Sequence, residues 1–72
     1  MAKPKLQDVT GWEKVWQTEN VLVVESENFS DFYKVEIKGQ PKKYFYGESA
    51  WSAVQRYVVD KTGDMSAWGI FI

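Results

Sequence analysis

Residues 42–63, KKYFYGESAWSAVQRYVVDKTG, hold the periodicity that decides the fold. Tyr44, Phe45 and Tyr46 read as a strand, Gly47 as a turn, and the remainder as an amphipathic helix. Ala50, Val54, Tyr57, Val58 and Lys61 fall on one helical stripe together with Ala53. Trp51 flanks that stripe, while Gln55, Arg56 and Asp60 are expected to face water. Ser49 is placed to cap the first turn through its hydroxyl, and Glu48 sets a negative charge beside the positive end of the helix. Lys61 suits the opposite end, and Gly63 can take the left-handed conformation that stops the helix.

Working outward, residues 32–38 (FYKVEIK) alternate cleanly. Tyr33, Val35 and Ile37 share one face; Lys34, Glu36 and Lys38 share the other, the pattern of a strand buried on one side. Gly39 and Pro41 break it within a span short enough for an antiparallel hairpin to Tyr44–Phe45–Tyr46. Tyr hydroxyls seek water or a polar partner, so Phe45 is expected inward and Tyr44 and Tyr46 on the outer face. Residues 20–26 (NVLVVES) form a Val-rich strand that is apolar on both sides, hence interior to the sheet or covered on both faces. Residues 27–31 make a polar turn carrying Phe29. Trp12, Val15 and Trp16 stand at helical spacing after Thr10, which predicts a short helix or turn laying two indoles over an edge of the core, with an extended reading fitting the same residues almost as well. Residues 67–72 (AWGIFI) read as a final strand, and residues 1–7 as a loose tail with Pro4 opposing early helix. The expected fold is therefore α+β: a small antiparallel sheet in β-β-β-α-β order, one helix on one face, in a single domain spanning residues 1–72.

Composition narrows the chemistry. At 72 residues a single core is only just sufficient, and with no Cys it has no disulfide or thiolate metal site to supplement it. There is no His, which removes the commonest general base and the commonest transition-metal ligand. Aromatic residues make up 17%, and such rings bury enough area to build a small core unaided. The sequence contains no phosphate loop, nucleophile elbow or dinucleotide fingerprint. Glu25, Glu27 and Asp31 cluster at one turn, but their spacing does not match a calcium-binding loop. The expectation is a non-enzymatic protein without cofactor or metal.

What remains is a surface for binding. Net charge is −1, yet acids crowd the stretch from Asp8 to Asp31, while Lys34, Lys38, Lys42, Lys43 and Arg56 outnumber acids between Phe32 and Arg56. A first reading makes the chain an interaction module that docks a larger protein through aromatic and Arg anchors, with Tyr44, Tyr46, Arg56, Trp12 and Phe29 as candidates. An edge strand offers a route to a homodimer by the same logic. The layout resembles that of small phage-encoded inhibitors of host enzymes at the level of fold, without a shared motif, which implies a viral source and a modulating role. In a second reading Lys34, Lys38, Lys42, Lys43, Tyr44 and Tyr46 form a platform that stacks bases and neutralises phosphates of single-stranded nucleic acid. No apolar run reaches the length of a membrane span, and the basic start is followed by no apolar signal segment, so a soluble cytoplasmic protein is expected.

Overall fold

The structure, a computed structural model, describes residues 4–63. After a short 3-10 turn at Leu6–Asp8 come four strands and one helix: β1 (Trp12–Gln17), β2 (Val21–Ser26), β3 (Phe32–Ile37), β4 (Lys43–Tyr46) and α1 (Ala50–Thr62). The strands form one antiparallel sheet in the order β1-β2-β3-β4, each beside its sequence neighbour. This is the α+β layout expected, with the helix packed on one face against β3 and β4. The strand anticipated at residues 67–72 lies outside the described residues.

Consecutive strands pair because the connections are tight and locally hydrogen-bonded. Thr18 turns the chain between β1 and β2: its N–H donates to the Val21 carbonyl at 2.8 Å, and its hydroxyl accepts from the Val21 N–H at 3.2 Å. Between β3 and β4 the Gln40 N–H closes a turn onto the Ile37 carbonyl at 2.9 Å. The helix-facing core then assembles by strand register. Val21 pairs with Ile37, Val23 with Val35, and Tyr33 with Phe45. These side chains meet Ala50, Val54 and Val58 of α1, with Trp51 and Tyr57 at the margins. Trp51 lies 5.1 Å from the Tyr33 ring and Tyr57 lies 5.6 Å from Phe45. Phe45 thus faces the helix, as the hydroxyl argument required.

Three expectations are corrected. The first concerns Trp12 and Trp16, which belong to a strand and not to a helical turn. A bulge at Val15 explains the misleading spacing. Lys14 pairs with Val24 and Trp16 with the next partner, Val23, so the strand gains one residue over β2. Strand alternation is thereby shifted, and two residues four apart end on opposite faces. Trp16 joins the helix-side core, while Trp12 packs against Phe32 on the far side.

The second concerns the helix start. Ser49 makes no side-chain cap; the Ala50 N–H instead donates to the Gly47 carbonyl at 3.0 Å in a backbone turn. The third is Gln55, which is buried and not solvent-facing. It stands one turn after Trp51 on the flank of the stripe, and the apolar face is wide enough to take it in. The other end behaves as read: Gly63 is left-handed, and its N–H returns to the Val59 carbonyl at 2.7 Å.

The helix is held to the sheet chiefly by small β-branched side chains, so Val54 is a sensitive point. It is fully buried, and Val54→Ala removes two methyl groups from a packed layer. We expect a loss of roughly 1.5–3 kcal/mol, read as a lowered urea midpoint with an unchanged slope. A loss within error would mean that α1 is not anchored as described.

Candidate functional site

The face of the sheet turned away from α1 is where most of the nominated residues meet. Alternation sends Phe32, Lys34 and Glu36 of β3 to this side, opposite Tyr33, Val35 and Ile37. Register then brings Tyr46 beside Phe32 and Tyr44 beside Lys34. Trp12 arrives from β1 because of the bulge, and Phe29 from the β2–β3 loop. The result is a ring cluster around Phe32, which is itself 0% exposed. Trp12 lies 5.5 Å away, Tyr46 stands edge-on at 5.8 Å, Tyr44 is at 6.4 Å and Phe29 edge-on at 6.5 Å. Such offset and edge-on pairs are the favoured arrangements of aromatic quadrupoles. The four outer rings remain half-buried, each with part of its surface available.

The loop that delivers Phe29 is fixed by polar side chains. The buried Ser26 hydroxyl accepts from the Phe29 N–H at 3.0 Å and donates to Asn28 Oδ1 at 2.9 Å. Asn28 in turn donates through its amide to the Asp8 carbonyl at 2.8 Å and accepts from the Thr10 N–H at 3.1 Å. The segment before β1 is thereby stapled to the loop, and Trp12 and Phe29 are positioned together.

The nominated cations are distributed differently from the expectation. Lys34 is no solvated charge: its side chain is 17% exposed and its ammonium sits 4.9 Å over the Trp12 ring and 3.6 Å from a Glu36 carboxylate oxygen. Lys42 approaches the same carboxylate at 4.0 Å. Lys43 pairs with Val35, so alternation directs it to the helix side, away from the tyrosines. Lys38 follows the end of β3 and is exposed in the turn. Arg56 is exposed on α1, where it borders a shallow hollow of about 460 Å³ with Tyr57, Val59 and Asp60, separate from the ring face. The structure therefore gathers Trp12, Phe29, Lys34, Tyr44 and Tyr46, and leaves Lys38, Lys43 and Arg56 apart.

Sequence reasoning passed over Phe32, the hub of the cluster. Its signal was present: Phe32 is in phase with Lys34 and Glu36. Also missed was a hollow of about 500 Å³ beside Tyr46, lined by Ser30, Asp31, Gly47 and Glu48. Its two sides are tied together by the Gly47 N–H, which donates to the Asp31 carbonyl at 3.1 Å. Asp31 has φ +59°, a left-handed conformation that Asp tolerates better than most residues, and its N–H donates to Glu25 Oε2 at 3.3 Å.

Among the described residues, no group of three or more carboxylates is placed to hold a metal, and no helix is long and apolar enough to cross a membrane. Comparison of the chain with protein families, with curated proteins and with solved structures gave no match.

The electrostatics at this end of the sheet have a measurable consequence. Tyr33, 7% exposed on the helix side, has its hydroxyl pushed up from 10.0 to about 12, first by burial and then by the charges of Glu25 and Asp31. The folded chain thus keeps a proton that the unfolded chain releases as pH rises past 10.0, so stability is intact below that pH and falls between there and about 12. The loss is on the order of 2 kcal/mol across the window. Urea midpoints on either side of it should show a steeper decline for the native chain than for Tyr33→Phe; equal declines would remove Tyr33 as the cause.

Proposed function

We propose that the protein is a non-enzymatic interaction module that docks a larger protein through its ring-bearing sheet face, acting as an inhibitor or modulator of that partner. The observation that carries this reading is the convergence of Trp12, Phe29, Tyr44 and Tyr46, from two strands and a loop, around the buried Phe32 of β3. A core on the helix side already exists without them. Half-buried Trp and Tyr held in place by a fully buried neighbour supply large contact area with little side-chain entropy left to lose, which is what interface anchors require. Their polar ends, and the charges at the margins, provide the rim.

Binding of single-stranded nucleic acid is the second reading, and stacking surface alone would suit it. Phosphate neutralisation is its weaker half. Lys34 and Lys42 share Glu36, Lys43 points to the other face, and the Tyr46 end of the ring face is bordered by Asp31 and Glu48. A protein partner fits this mixed charge better than a polyanion.

The two readings separate in one experiment. The full chain, immobilised as bait, should retain a stoichiometric protein partner through nuclease treatment and elevated salt. Tyr44→Ala and Tyr46→Ala should each weaken that retention by at least about tenfold, as expected for anchors worth about 1.4 kcal/mol or more, while Arg56→Ala should not. Urea midpoints of the variants control for folding. Loss of all bound material on nuclease treatment, with affinity falling steeply as salt rises, would replace the first reading with the second.

A further inference from the structure

The hollow beside Tyr46 says something about the partner. Resting on the docking reading above, we propose that the partner presents an arginine side chain to this hollow, with the guanidinium against the Tyr46 ring and between the carboxylates of Asp31 and Glu48. The space, about 500 Å³, is open enough to admit a long side chain from outside. It is continuous with the ring face, because Tyr46 both borders it and stands edge-on to Phe32. A partner covering Tyr44 and Trp12 therefore reaches it.

Charge complementarity specifies the occupant. Asp31 stands on the loop side and Glu48 on the side of the β4–α1 turn, both exposed, with the aromatic ring among them. Glu25 adds to the negative field from behind Asp31. The lysines of this face lie further along the sheet, where Glu36 engages them. A planar guanidinium can stack on a ring while its fork of N–H donors reaches carboxylates on either side, which a compact ammonium cannot do as well. Gly47 carries no side chain, so the floor between the two walls stays clear; with φ +115° it is also a position that other residues rarely adopt.

The walls are fixed before binding. The Gly47-to-Asp31 hydrogen bond joins them, and the Asp31 backbone is further held by Glu25. An arginine therefore meets carboxylates whose backbones need little rearrangement, which keeps the entropic cost of binding small.

A probe that needs no partner tests this directly. The isotope-labelled full chain is titrated with the peptide acetyl-Gly-Arg-Gly-amide and, in parallel, with the same peptide carrying citrulline, a neutral analogue of arginine. We expect saturable amide shifts at Asp31, Gly47 and Glu48 with the arginine peptide, a dissociation constant of order millimolar, and contacts from its δ-methylene protons to the Tyr46 ring. The citrulline peptide should bind at least about fivefold more weakly. Glu48→Gln should weaken the arginine peptide by about the same factor, as should Asp31→Asn, a change the left-handed backbone accommodates. Equal binding of both peptides, shifts spread over all surface acids, or indifference to both substitutions would overturn the assignment. Those results would leave docking through Tyr44 and Trp12 to its own capture experiment, so the two proposals fail separately.

Discussion

Two adjacent residues on the third strand, Phe32 and Tyr33, are both almost wholly buried, and they point in opposite directions. This is the constraint on which the rest of the structure depends. An antiparallel sheet with one covered face would leave one of them wet. Here Tyr33 enters the layer beneath the helix, between Phe45 and Trp51, while Phe32 anchors a separate aromatic layer on the far side. A strand gripped from both faces cannot slip by one residue without exposing each set in turn. Its register thereby fixes the positions of β2 and β4, and with them the tyrosines and the connecting turns.

The second layer is unusual for what it costs as well as for what it provides. A small domain gains from every ring it can bury, and part of the aromatic content serves stability alone. Yet the rings on the far side do not close into an apolar layer. Lys34 is laid over Trp12, Glu36 gathers two lysines, and acidic groups flank Tyr46. The face is graded, from cation and carboxylate pairs at one end to net acid at the other. In the docking proposed above, such a gradient would let charge discriminate among partners while the rings supply affinity.

Much of the architecture could be read directly from residue order. The helix was legible because Ala50, Val54 and Val58 repeat at its period and Gly63 ends it; β3 was legible because Tyr33, Val35 and Ile37 alternate with polar residues. The facing of Phe45 against Tyr44 and Tyr46 followed from the chemistry of a phenolic hydroxyl. β1 was not legible, since an extra residue at Val15 converts an alternating pattern into one that imitates a helix. Gln55 was misplaced because a 3.6-residue period gives the centre of an apolar stripe and not its width. For the ring face, residue types pointed to Trp12, Phe29, Tyr44 and Tyr46 but not to Phe32, around which they gather. Lys43 was assigned to the wrong side for want of a register, and the stacking of Lys34 on Trp12 depends on a contact between strands that are not neighbours.

The bulge in β1 also sets limits on how the chain can change. Insertions and deletions are usually absorbed in loops, where they alter length without disturbing what lies on either side. Loss of a single residue at Val15 would instead restore regular pleating and rotate the segment on one side of it by half a turn. One indole would be forced to exchange compartments, leaving either the layer under the helix or the aromatic layer short of a ring. A change in length is thus barred at Val15, a limit drawn by pleat geometry and not by the identity of the residue there.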